Sequence, residues 1–543
     1  MKKMTRFILL LTITAFLFTS CNKPANTLAK YIPKDANIVF ELNTKSMLDK
    51  LSSANISFDS LARVLSDEGD SSQTNISLEE LRNSGIDTAE AAFGFVKNSS
   101  SIMAGQSTSG GMVAALKNAA AFEALLKKKK PAGEIKKADN YSYLALGDDF
   151  IAGWTDNVVI IAQKHGGSSA PGTYATGEGT LTQQMLTALF AQKESESILS
   201  VDGFKDVLKQ NADLAFYTSS SNMQSITALG ISKLGDLTDG SYTTGTVTFE
   251  NGKITASFNA HLGNAMADLV KKYPMHAIDV SMLDKYPGQI QGFVIGSLNP
   301  KLFPAVFQYV GFDGVANTML QQQLGLNLTI SDIFQAIKGD FAIAVSDIGF
   351  TKKTVTEMGG YKLPQPVTTN VPSYKVIANF AIDKDGYNKV TGVLAQKGVL
   401  TQQNGQYQSS MLNSLGLSMS ATDNNLYIST SADLIKQYES ASGNASNLPA
   451  DIHDKLKGKV FAMYADIQTL SGKMQSGEKD STAPTFKDVI VTADNLNDKT
   501  STGNAEIRLL NNNENSLVTL LRYSIKQAQI RKMRKMDMSA PHM

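Results

Sequence analysis

The stretches "FIAGWTDNVVIIAQK", residues 150–164, and "LSMSATDNNLYISTS", residues 417–431, decide how this chain is read. Each sets a Thr-Asp-Asn triplet between two apolar runs: Thr155, Asp156 and Asn157 in the first, Thr422, Asp423 and Asn424 in the second. Turn formers between apolar runs predict a β-hairpin, because Asp and Asn side chains satisfy nearby backbone groups and tolerate turn dihedrals. The same hairpin written twice, roughly 250 residues apart, points to a repeated unit.

Other phrases return at a similar interval and in the same order. "ELNTKSMLDKL" at 41–51 is echoed by "SLNPKLFPAVF" at 297–307, where Leu42, Asn43 and Lys45 match Leu298, Asn299 and Lys301. "AAFGFV" at 91–96 finds "GDFAIAV" at 339–345, and "LAFYTSSSNMQSI" at 214–226 finds "VFAMYADIQTL" at 460–470. Four pairs kept in order predict an internal duplication, with a first copy at 31–280 and a second at 281–528. Val376, Ala378, Phe380 and Ile382 alternate as in half-buried strands, whereas Met47, Leu48 and Leu51, then Phe58, Leu61, Val64 and Leu65, recur at helical spacing. Ser77 with Glu80 reads as a capping box, Gly85 as a helix stop, and Asn118 and Asp383 as caps of helices that follow strands. The expected class is α+β: two tandem copies of a mainly antiparallel sheet unit with interspersed helices. Two polar stretches in corresponding places, 97–111 and 348–372, read as long loops and as a contact surface.

The chain of 543 residues carries 51 Lys plus Arg against 50 Asp plus Glu, so it has no global positive field, and nucleic acid is not an expected partner. Hydrophobic residues make up 42%, enough for real cores and against disorder. The single cysteine, Cys21, lies just past an apolar run at 7–18 that Lys2, Lys3 and Arg6 precede. That run is too short for a bilayer core of about 30 Å and reads as a secretory signal segment. "LFTSC" at 17–21 resembles the lipobox of bacterial lipoproteins, with Phe18 where Leu is usual and Ser20 where Ala or Gly is commonest. The resemblance implies cleavage before Cys21 and lipidation of its thiol: a signal peptide at 1–20, a lipidated N-terminus and tether at 21–30, and a mature chain held to the membrane by its lipid. A chain without a second cysteine must hold together without disulfides in an oxidising compartment. Residues 529–543, with "RKMRKM" at 531–536, read as a basic, disordered tail.

Motifs that carry chemistry are scarce. "NGKIT" and "GKV" lack the glycines and the hydroxyl residue of a phosphate loop. His165, His261, His276, His453 and His542 never fall at i, i+4, and no cofactor or metal is implied. "DKDGYN" at 383–388 and "DLTDGS" at 236–241 lack the ligand series of a calcium loop and read as cap and turn. "SGEK" at 476–479 has Ser-x-x-Lys spacing without the companion motifs of penicillin-recognising enzymes. Lys127–Lys130 reads as a solvated helix end, and Trp154, the one tryptophan, as a core residue.

With the lipobox, "YIPKDANIVFELNTKSMLDKL" at 31–51, "GFV" and the repeated strand-helix units, the chain resembles a family of Bacteroidota lipoproteins catalogued as domain-of-unknown-function family 4836. The resemblance implies a lipid anchor in a Bacteroidota-type envelope and brings no activity or catalytic residue. "NKPAN" after Cys21 lacks the run that resembles a surface-export signal, so the expected address is the periplasmic face of the outer membrane. The expected role is non-enzymatic binding of an envelope protein or scaffolding, in an oligomeric state left open. The alternatives are a carrier or sensor of a hydrophobic envelope molecule, and an enzyme with a dispersed active site.

Overall fold

The computed structural model describes residues 26–52, 80, 83–101, 105–147, 150–166, 178–220, 233–357, 365–403, 406–441, 446–474 and 485–539. Cys21, Ser77, the apolar positions at 58–65 and the Ser-x-x-Lys stretch lie outside them. The chain divides into two compact units. The first takes the residues up to 225 with 239–260 and those from 511 onward; the second takes 226–238 and 261–510.

In the first unit the longer strands are β1 (Ile38–Leu42), β2 (Ala92–Ser101), β3 (Gly105–Leu116), β4 (Phe150–Trp154), β5 (Val158–Gly166), β6 (Leu214–Ser219), β7 (Tyr242–Glu250) and β8 (Lys253–His261). Antiparallel pairing gives the order β7-β6-β1-β2-β3-β5-β4. In the second they are β9 (Gly292–Ser297), β10 (Ile337–Glu357), β11 (Gln365–Ile382), β12 (Ser418–Ala421), β13 (Asn425–Ser429), β14 (Phe461–Ala465), β15 (Phe486–Ala493) and β16 (Thr500–Leu509). Their order is β16-β15-β14-β9-β10-β11-β13-β12, again antiparallel. From β1 to β7, adding eight to a strand's number gives the strand in the corresponding place of the other unit. The fold is α+β with a mainly antiparallel sheet.

The quoted hairpins are the turns β4-β5 and β12-β13. Thr155 N donates to Val158 O at 2.9 Å, and Thr422 N to Asn425 O at 2.8 Å. The Thr155 hydroxyl accepts from Asn157 N and Val158 N at 3.3 Å each; Thr422 accepts from Asn424 N at 3.4 Å and Asn425 N at 3.1 Å. Asn157 O and Asn424 O then accept from Leu116 N and Ile382 N, both at 2.8 Å, which clips each turn to the end of the preceding long strand. Just beyond, Asn118 and Asp383 cap α2 (Ala119–Lys129) and α5 (Lys384–Gln396) through their side-chain oxygens.

The first unit's sheet is covered on both faces. On one, Leu42, Ala92, Met112 and Val159 pack with Met47 and Leu51 of α1 (Thr44–Ser52), Phe122 and Leu126 of α2, and Leu517 and Val518 of the C-terminal helix Ser516–Ser539. On the other, Val39, Phe93, Phe95 and Ile160 pack with Leu186 and Leu189 of α3 (Glu178–Ala191) and with Ile198 and Phe204. In the second unit Phe293, Ile295, Ala344 and Tyr464 lie under Leu283, Tyr286, and Leu434, Ile435 and Tyr438 of α6 (Ala432–Ser440). The C-terminal helix continues to Ser539, through the start of the segment read as a tail; its Lys, Arg, Met and Gln are good helix formers.

The stretches read as long loops are instead strands. Residues 97–101 pair with 105–109 in the β2-β3 hairpin, and Gly349–Glu357 pair with Gln365–Ser373 in β10-β11. Backbone pairing holds these strands without apolar alternation, so their Thr, Ser and Lys gave no strand period to read.

Three cross-strand pairs set a Phe ring over a Gly: Phe40 opposite Gly94, Phe216 opposite Gly245, Phe341 opposite Gly296. A Cβ on Gly94 would stand 2.0 Å from Phe40 Cζ. Gly94→Ala is therefore expected to cost about 1–3 kcal/mol through overpacking. Denaturant unfolding measures it, with Phe40→Leu added to restore part of the loss; a single variant as stable as the native chain would mean the ring is not held there.

Candidate functional site

Most of the strong polar clusters hold the fold. Asp213, at 1% exposure, receives Ser46 Oγ and Lys50 Nζ at 2.6 Å from α1 and Phe249 N at 2.6 Å from β7, so one buried carboxylate ties the helix to the sheet. Arg508 grips Asp488 with Nε at 2.5 Å and Nη2 at 2.6 Å and also pairs with Asp451; these partners push its guanidinium's pKa further up. Among the described residues no group of three His, Cys, Asp or Glu could hold a metal ion, and no helix is long and apolar enough to cross a membrane.

Glu41 is different. It sits mid-sheet on β1 between Phe93 of β2 and Ala215 of β6, and its Oε2 is buried with no hydrogen-bond partner. Burial raises its carboxyl from the ordinary 4.5 to about 7. The signal was present in "IVFEL", a lone acid in an apolar strand, and sequence reading passed it over.

The β10-β11 ribbon extends beyond the sheet of the second unit. β9 pairs with β10 over Asp340–Val345 and β13 pairs with β11 over Ile377–Ala381, so from Gly349 outward the two ribbon strands pair only with each other among the described residues. Its base is fixed. Tyr286 donates to Ser346 Oγ at 2.9 Å, buried Gln291 accepts from Ile348 N at 2.9 Å, and Lys375 pairs with Asp347 at 2.7 Å. The register shifts between Ser346 and Gly349, with Asp347 at φ 52°, a bulge that twists the ribbon away from the sheet. Phe350 is 37% and Tyr374 55% exposed on it. Two open edges and exposed aromatic rings suit strand addition by a partner.

The second unit also holds an open cleft of about 830 Å³ whose lining includes His276, Asn299, Lys301, Asp313, Phe334 and Lys338. His276 Nε2 lies 2.9 Å from Asp340 Oδ1. The other expected residues are in place: Trp154 is buried edge-on to Phe122, Lys128 and Lys129 pair with Glu80 at 2.7 and 2.6 Å, and Asp383 caps a helix. The structure does not bring the described histidines together: His261 faces Thr500 at 3.2 Å and His453 faces Asp284 at 3.3 Å.

The described residues form mainly antiparallel α+β sheets with buried ionic ties and a ribbon that extends beyond one of them. The chain belongs to the family described as domain of unknown function (DUF4836), which matches residues 29–517. A search of curated proteins finds no match. Among solved structures, crystal form III of TP0453 matches at 11% identity over 48% of this chain and 91% of that chain, TM-score 0.23; crystal form I matches at 10% over 48% and 90%, TM-score 0.26.

Glu41 generates a pH prediction. The folded carboxyl binds its proton more tightly than the unfolded one, so its contribution favours the folded state at low pH and is lost as pH rises from 4.5 through about 7. The loss is about 1–3 kcal/mol. Glu41→Gln should flatten this part of the stability profile and stabilise the chain at pH 8; an unchanged profile in urea unfolding would show that Glu41 does not carry the effect.

Proposed function

We propose that this protein is a lipid-anchored, non-enzymatic component of a Bacteroidota-type envelope that binds another envelope protein. The β10-β11 ribbon carries the reading: the chain fixes its base with three side-chain contacts, and beyond it the two strands pair only with each other among the described residues. A monomer that exposes paired-strand edges risks aggregation, and such edges are kept where a partner uses them. The lipobox-like "LFTSC" supports anchoring through Cys21 at the periplasmic face of the outer membrane; because Leu28 and Ala29, inside the segment expected as tether, already pack in the first unit's core, only a few residues separate the lipid from that unit. The common strand order of the two units supports their origin by duplication. The cavity lined by Thr44, Thr88 and Met112 measures about 30 Å³, room for water and not for a lipid.

Two experiments test this. Cys21→Ser should move the protein from the membrane to the soluble fraction; membrane retention would overturn the anchor. Deleting 348–372 should abolish co-purification of a stoichiometric envelope partner at unchanged fold, read by circular dichroism. Undiminished recovery of that partner would overturn the ribbon's role.

A further inference from the structure

We infer that the first unit carries a binding site for a small amphiphilic anion, a carboxylate or phosphate ester with one short alkyl chain, in the cleft between α3 and the ends of β2, β3 and β5. The site is separate from the ribbon and does not rest on the partner reading. Along β2, the core-facing row runs Phe93, Phe95 and then Lys97. The strand register places Lys97 opposite Ser109, and Ser109 opposite Lys164, so a row that is apolar deeper in the sheet ends in Lys-Ser-Lys across three strands. The two lysine Cα atoms stand two strand spacings apart, about 10 Å, which lets both flexible ammonium groups reach one anion between them.

Above this row lies a cleft of about 680 Å³, the size of a small-molecule site. Its floor and wall are Phe95, Met185, Ala188 and Leu189; its polar lining adds Ser107, Lys34, Asp35, Gln192 and Glu196. The cations are not equally committed. Lys97 pairs with Asp35 at 2.6 Å, whereas the Lys164 ammonium meets no acceptor among the described residues. Glu196 is turned to its own turn, where Oε2 accepts from Lys193 N at 3.2 Å. An incoming anion would bind Lys164, draw the Ser109 hydroxyl from Lys97 O, to which it donates at 3.4 Å, and compete with Asp35 for Lys97, while its chain lies on Met185 and the exposed Ala188. Three lysines against two carboxylates, one paired with Lys97 and the other held by Lys193 N, set the sign of the ligand's charge; the apolar wall sets its amphiphilic character.

Isothermal titration of the full-length chain tests this with octanoate, octyl phosphate, octanol, octyltrimethylammonium and inorganic phosphate. Both alkyl anions should saturate one site, and octanol and the cation should bind at least tenfold more weakly. Lys164→Ala should weaken the anions about tenfold at an unchanged unfolding midpoint, and Asp35→Asn should tighten them by freeing Lys97. Equal binding of octanol and octanoate, or anion affinity untouched by Lys164→Ala, would overturn the anion site. Inorganic phosphate binding as tightly as octyl phosphate would overturn the amphiphilic part, and Asp35→Asn without effect would remove Lys97 from the site.

Discussion

The turn carbonyls of Asn157 and Asn424 are the point on which both sheets depend. Each accepts from the last residues of the long strand before it, Leu116 or Ile382, and so fixes where the following hairpin lies along that strand. Register in a sheet buried on a face admits no slip, because a shift of one residue sends every core side chain to the other side. With this clip in place, Val113 and Ile160 face one core and Met112 and Val159 the other. The helix cap one or two residues on, Asp383 or Asn118, then turns the chain directly into α5 or α2. A hydroxyl, a carbonyl and a cap thus convert a short sequence phrase into a strand order.

What could be read in advance follows from how local the physics is. The Thr-Asp-Asn turns, the caps, the α1 face with Met47 and Leu51, and the burial of Trp154 all rest on residues near one another in sequence. The ribbons do not. The outer strands of β10-β11 are stabilised by pairing with each other, so "TKKTVTE" and "QPVTTNV" look like loops until the partner strand is known. Likewise, no local pattern announced that Asp213 would gather Ser46 and Lys50 from α1 and Phe249 N from β7. The division of the chain was equally hidden: the helix Asn264–Lys272 follows β8 yet belongs to the second unit, and the C-terminal helix follows β16 yet belongs to the first. Which helix covers which sheet is settled by long-range packing.

The cross-strand Phe and Gly pairs show how the same steric solution is reached from different residues. In the first unit the ring is on β1 and the glycine on β2; in the second the glycine is on β9 and the ring on β10. Either arrangement lets a flat ring cover bare backbone in the middle of a sheet, a position where glycine otherwise weakens a strand. Sequence comparison misaligns such a pair, because the residues exchange places while the packing is kept.

The two units then diverge in what they expose. The first closes both sheet faces with helices that bury Leu51, Phe122, Leu186 and Leu517. In the second, the helix Leu302–Tyr309 has no fully buried residue, and Val315, Met319 and Leu324 beyond it are 55%, 47% and 59% exposed. Apolar side chains left exposed in the second unit thus contrast with the first, where helices cover both faces of the sheet and bury the apolar side chains that a chain without a second cysteine relies on for stability.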